Sequence, residues 1–413
     1  MYVFQPDTRG EESRVRDFLT PERVVLYSAA MLVLYVLFMG VWVWASHGFT
    51  DKAYSRPGLD FSVFWSASYA MQHVPVLQIY NYTHFEKIEH TLFSSIPHDS
   101  LLPWLYPPTF LALVTPLALV PPVVAYILFV GGSAALYVFA TLRLSRLASR
   151  LGNSPQGWLL AVASPCVFVP AIVGQNSLLT AALATLAVHW LVRHPARAGL
   201  CIGLLAIKPQ MALLFPFVLI AARAWRTLGV AALSASLFGA LAVLICGKDS
   251  VPMFLANTEL ARGAMFEHGY HYWLASPTTL AVLRVGGVPL AAAYAGEACV
   301  ALIAVVAACH VWKSTLDVRL RGAALTVATL IANPYVWHYE LTWLGVAIAC
   351  LAGIGLDSGW RRGEQAVLVI AWLLPFYEYF NPATELPQIG PIVLLLMLLL
   401  ILRRVRITEP ATS

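Results

Sequence analysis

Residues 24–45 read VVLYSAAMLVLYVLFMGVWVWA, an uncharged apolar run. At 1.5 Å per residue such a run covers the roughly 30 Å hydrocarbon core of a bilayer. No small-residue cleavage site follows it, so it reads as a retained span rather than a signal peptide. Comparable runs recur to the C-terminus, with charges clustered between them. Hydrophobic residues make up 59% of the chain and charged residues 11%, where soluble domains carry about 25% charged. The expectation is an all-α polytopic membrane protein, read as a single membrane-embedded domain over 1–413.

The runs predict about twelve spans, near 24–45, 122–142, 157–172, 174–192, 198–207, 209–222, 227–246, 289–312, 322–333, 338–356, 365–377 and 388–402. Two further apolar pieces, 105–120 and 277–288, are short and broken by proline, which suits re-entrant or interfacial helices. With the N-terminus inside, 19 of the 26 Lys and Arg fall on the cytoplasmic side, from Arg9 through Arg150 to Arg406, and seven, including Lys52, fall outside. That bias places both termini in the cytoplasm. It leaves a long first outer loop, 46–104, which the interfacial piece extends to 121, and a second over 247–288. The formal charge of +5 is spread over short loops and does not indicate nucleic acid.

The first outer loop carries Asp51, Asp60, Glu86, Glu89 and Asp99. Asp60 stands out, because it lies in Pro57-Gly58-Leu59-Asp60-Phe61-Ser62-Val63-Phe64-Trp65. A carboxylate among apolar and aromatic side chains is costly to desolvate and marks a functional candidate. Gln175-Asn176, Lys208, Asn257 and the run Asn333-Pro334-Tyr335-Val336-Trp337-His338-Tyr339 also sit at the outer ends of spans. A carboxylate suits a general base that deprotonates a hydroxyl. Lys208 and His338 suit the charge of a phosphate leaving group. Aromatics stack on sugar rings, and they also anchor helices at the interface. No Walker motif and no glycine-rich loop after a strand offers a nucleotide site.

Each candidate has a plainer reading. Asp60 suits a helix cap or a solvated loop carboxylate, Lys208 a snorkelling cation, and Gln175-Asn176 the cap of the next helix. His338 suits a structural hydrogen bond in an aromatic belt. Glu267-His268-Gly269-Tyr270-His271 lacks a third metal ligand at fixed spacing, and reads as acceptor contact or loop. The six cysteines form no CxxC pair and read as buried free thiols.

Asp60-Phe61-Ser62-Val63-Phe64-Trp65, Ile79-Tyr80, Tyr106-Pro107-Pro108, Thr115-Pro116-Leu117-Ala118, Gly174-Gln175-Asn176-Ser177, Lys208-Pro209-Gln210 and Asn333-Pro334-Tyr335-Val336-Trp337-His338 occur in this order. In this the chain resembles glycosyltransferase family 87, polytopic enzymes of the GT-C class. The resemblance implies a GT-C-like bundle and an inverting transfer of a hexose, mannose first, from a polyprenyl-phosphate sugar. The acceptor would be a lipid-linked or cell-envelope glycan at the outer face of a bacterial plasma membrane. It implies Asp60 as base and Lys208 and His338 at the donor phosphate. It implies Gln175 and Asn176 near sugar or acceptor, and Tyr106, Asn257, Asn333 and Trp337 are read as further sugar or acceptor contacts. It implies no cofactor and no metal, and leaves the role of Glu340 open. The rival readings are a secondary transporter or glycolipid flippase, and a non-catalytic membrane scaffold. Transporters place broken helices at the midplane in repeated halves, and no repeat stands out here.

Overall fold

The structure, a computed structural model, describes residues 21–49, 56–93, 102–148 and 155–405. Asp51, Lys52, Asp99, Arg9, Arg14, Arg16, Arg150 and Arg406 lie outside the described residues. Among the described residues helix makes up 81%, with no strand.

Six helices among the described residues are long and apolar enough to cross a membrane: Glu22–Ala45, Pro122–Ser145, Trp225–Cys246, Leu290–Ser314, His338–Ser358 and Glu364–Thr384. Their outward faces are bare hydrocarbon, with Val36 71%, Leu244 82% and Leu302 64% exposed. Apolar surface of that extent is stable only against lipid or a partner. The other expected spans fall on shorter or broken helices. Ser177–Trp190, Pro195–Ile207 and Pro209–Ala221 are apolar helices of 10–17 residues, about 15–25 Å long, short of the ~30 Å core. Val318–Ala332 and Gly390–Val405 have 15 and 16 residues. The expected span 157–172 is broken at Ser164, which is extended before Pro165, as the residue ahead of a proline prefers. Tyr35 of the first helix fills this break: its hydroxyl donates to Ala163 O at 3.0 Å and its ring stacks on Phe168.

Lys208 separates two of the short helices, its backbone non-helical between two 3₁₀ turns. Chain direction makes this pair a hairpin. Arg197 and Arg223 lie at its open end and Lys208 at its tip, inside the bundle. The pieces 105–120 and 277–288 form the short helices Pro108–Val114 and Thr279–Val285. Proline starts the first and again ends it, since Pro116 carries no N–H to continue the ladder.

Small residues bring the helices together. A Cβ at Gly199 would lie 2.7 Å from Thr227 O, and one at Gly203 would overlap Ser234. These two glycines, four apart on one face, let Pro195–Leu204 lie directly on Trp225–Cys246. At one end of the bundle Arg404 pairs with Glu364, and Arg319 pairs with Asp317 and Asp357. Asp357 closes the His338–Ser358 helix at the end remote from His338, so these ion pairs and the site residues below occupy opposite ends. All six cysteines are free. Cys166, Cys201, Cys246 and Cys350 are buried, whereas Cys299 is exposed on the outer face of Leu290–Ser314.

Candidate active site

Gly58 turns the chain into the helix Leu59–His73 with φ +73°. Asp60 therefore stands in the first helical turn, where the unpaired N–H groups favour a negative charge. The turn is clamped from both sides. Gly58 N donates to Ile172 O at 2.7 Å, and Phe61 and Phe64 pack edge-on against Tyr126 and Tyr106. Gly174, at φ +87°, ends the helix Pro165–Val173 directly against this turn. A Cβ there would lie 2.6 Å from Phe61 Cβ and 3.2 Å from Gly58 Cα.

That close approach delivers Gln175 to Asp60. Gln175 Nε2 donates to Asp60 Oδ2 at 2.6 Å, and Gln175 Oε1 accepts from the Tyr106 hydroxyl at 2.9 Å. Burial raises the Asp60 carboxyl to about 6, opposed by the Gln175 hydrogen bond and the charge of Lys208. A carboxylate so placed is a base near neutral pH and retains a usable proton affinity.

The next residue carries the network to the cation. Asn176 N also points at Gln175 Oε1, at 3.3 Å, and Asn176 Oδ1 accepts from Lys208 Nζ at 3.3 Å. Lys208 is only 7% exposed. Its ammonium pairs with Glu340 and lies over the rings of Tyr339 and Tyr106, 5.2 and 5.9 Å from their centroids. Glu340 Oε2 in turn accepts from Trp337 N at 3.2 Å. Asp60, Gln175, Asn176, Lys208 and Glu340, from four separate parts of the chain, thus form one continuous polar chain.

Several buried polar atoms beside it have no protein partner among the described residues: Asn176 Nδ2, Trp337 Nε1 and both ring nitrogens of His338. Buried polar atoms are nearly always satisfied, so these are free to meet a ligand or water. His338 is held by its backbone, whose N–H donates to Ala275 O at 3.0 Å. Its ring is walled by Tyr339 and Tyr379, and Trp337 lies beside Tyr272.

Two of the residues expected at the sugar or acceptor also bind within the protein. Asn257 Nδ2 donates to Tyr80 O at 2.8 Å and Trp104 O at 3.2 Å, tying the second loop to the first. Asn333 Oδ1 accepts from Tyr335 N at 3.1 Å, closing the turn that leads to Trp337 and His338. In the run 267–271, Glu267 pairs with Arg262 and accepts from Tyr294, and His268 Nδ1 meets Gly263 O; these side chains brace the loop.

Two carboxyls went unassigned in the sequence. Glu340 is one, and its signal was indirect: a lysine as buried as Lys208 needs a counter-charge. Glu89 is the other. Only 2% exposed, it lies on the inward face of Tyr82–Leu92, and Oε1 has no partner among the described residues. Burial pushes its carboxyl to about 9, with Glu86 and Asp60 adding to the rise.

A family model described as glycosyltransferase family 87 matches residues 104–334, more than half of the chain. The match takes in Tyr106, Gln175, Asn176, Lys208, Asn257 and Asn333; Asp60 precedes it, and Trp337, His338 and Glu340 follow it. No curated protein and no solved structure matches the chain.

Proposed function

Because the chain belongs to glycosyltransferase family 87, and is accordingly a membrane glycosyltransferase, we propose that it moves a hexose, mannose first, from a polyprenyl-phosphate sugar to a lipid-linked or cell-envelope glycan. The polar chain from Asp60 through Gln175 and Asn176 to Lys208 carries this reading. It sets a base and a cation on one support, as a displacement needs when a proton leaves one reactant and negative charge grows on the other.

In the proposed step Asp60 takes the proton of the acceptor hydroxyl as its oxygen bonds to the anomeric carbon. The bond from that carbon to the phosphate oxygen breaks, and the electron pair stays with polyprenyl phosphate. Lys208 and the His338 ring donate to that phosphate. Attack and departure on opposite faces invert the anomeric centre. Gln175 orients Asp60, and Tyr106 orients Gln175. Asn176 and Trp337 offer hydrogen-bond donors to the sugar.

The basic residues support the sidedness of this reading. Arg143, Arg193, Arg226, Lys313, Arg319 and Arg404 all fall, by chain direction, at the helix ends remote from Asp60. Under the positive-inside rule that end reads as cytoplasmic, which favours the proposed site at the outer face of a bacterial plasma membrane.

The test is purified protein in lipid, offered a panel of polyprenyl-phosphate sugars with glycolipid acceptors. Wild type should give donor-dependent product, and Asp60→Asn should lose it by about 10²–10⁴-fold. Undiminished turnover by Asp60→Asn rules out the base, and turnover only with nucleotide sugars rules out the donor class.

A further inference from the structure

We propose that Glu340 is a positioning residue for Lys208 and tempers its charge, so that the spent carrier phosphate is released. The assignment rests on Lys208 facing the donor phosphate, as proposed above. Glu340 is itself rigidly held. It is 3% exposed, sits in the one-turn 3₁₀ helix His338–Leu341, and one carboxylate oxygen is fixed by Trp337 N while the other meets Lys208 Nζ. An ammonium has three protons. Asn176 Oδ1 and Glu340 Oε1 take two, and the two aromatic rings bracket the ammonium. One N–H is left to point at a ligand, in a direction that Glu340 and Asn176 together dictate.

The charge has a separate consequence. A donor phosphodiester carries one negative charge, whereas the product phosphomonoester approaches two near neutral pH. A buried ammonium without a counter-ion would hold the product more tightly than the donor. With Glu340 in place the pair is neutral, and the extra charge on the product meets a carboxylate nearby.

Four variants in purified, lipid-reconstituted protein test this: Lys208→Met, Glu340→Gln, Glu340→Asp and Lys208→Met/Glu340→Gln. The readouts are kcat, donor KM and inhibition by free polyprenyl phosphate. Glu340→Gln should lower the product inhibition constant about tenfold, lower donor KM by less, and reduce kcat. Glu340→Asp keeps the charge on a shorter arm, so both constants should hold while kcat falls about tenfold. Adding Glu340→Gln to Lys208→Met should change neither constant further. A purely structural glutamate would lower the yield of folded enzyme and leave the product inhibition constant of the folded fraction at its wild-type value; that result overturns the assignment. If Glu340→Gln does not fold, Glu340→Asp decides: an unchanged kcat is equally fatal. Lys208→Met separates the two claims. Unchanged donor KM and product inhibition there sink the phosphate role of Lys208 itself, whereas raised constants with a silent Glu340→Gln sink only the role of Glu340.

Discussion

Gln175 Nε2 lies 2.6 Å from Asp60 Oδ2, and this bond joins the first turn of Leu59–His73 to the loop ahead of Ser177–Trp190. A donor aimed at a carboxylate favours its ionised form and opposes the desolvation that raises Asp60 to about 6. As the proposed base, Asp60 must be ionised to act, so activity should rise with pH through about 6 and fall away below it. Gln175→Leu removes the donor and lets the carboxyl titrate higher, moving the acid limb toward neutral pH. A hydrogen bond to a charged group contributes about 1.5–3 kcal/mol, so kcat/KM at pH 6 should fall on the order of tenfold, with a smaller loss at pH 8. A pH–rate profile that drops uniformly instead would show that Gln175 does not tune Asp60.

The same carboxyl should cost the fold stability. Below its ordinary value of 3.8 both folded and unfolded chains hold the proton, and there is no penalty. Between 3.8 and about 6 the unfolded chain ionises first, so stability falls as pH rises through that window. Above about 6 the full penalty is present. Asp60→Asn should therefore be more stable than wild type at pH 7, by ~1–3 kcal/mol, while inactive. Thermal unfolding in detergent at pH 7 and pH 4 checks this: the two proteins should differ at the first and converge at the second.

The membrane class was legible at once, because hydropathy and loop charge answer to the bilayer rather than to tertiary packing. The number of full spans was not. Apolar pieces such as Pro195–Ile207 and Pro209–Ala221 have the composition of spans, but their length and the break at Lys208 make them a hairpin. Asp60, Gln175, Asn176 and Lys208 were recognisable one by one as polar residues in apolar surroundings, and the fold brings all four together. Asn257 and Asn333 looked alike in sequence, yet the Asn257 Nδ2 and the Asn333 Oδ1 each bind main-chain groups. Composition cannot tell a ligand-facing amide from a loop clamp. Glu89 stood among the carboxylates of the first outer loop, and only packing on the inward face of Tyr82–Leu92 sets it apart from Glu86.

Gly174 tests how closely the two strips of backbone must meet. Its φ of +87° disfavours any side chain, and a Cβ would strike Phe61 Cβ at 2.6 Å and Phe61 N at 3.0 Å. Gly174→Ala must push the turn bearing Asp60 away from Gln175. The expected result is a loss of ~1–3 kcal/mol from backbone strain. Activity should fall on the order of 10²-fold, since reacting groups tolerate little displacement. Donor binding, proposed at Lys208, should change far less. Wild-type turnover by folded Gly174→Ala would mean that the Asp60–Gln175 contact is dispensable.

Lys208 and Glu340 make the last case, because removing one charge of a buried pair is worse than removing both. Lys208 is 7% and Glu340 3% exposed. Lys208→Met leaves a carboxylate in a site built for an ammonium, and breaking such a pair costs about 3–5 kcal/mol. Lys208→Met/Glu340→Gln discards the charge with its partner, and the neutral amide can still accept from Trp337 N. Unfolding should therefore rank wild type and the double variant close together and Lys208→Met well below them, although neither variant turns over donor efficiently. The ranking separates stability from catalysis at one pair. Were Lys208→Met as stable as wild type, the ammonium would not be compensating a buried charge at all, and the pair would be an incidental contact between side chains that have other partners.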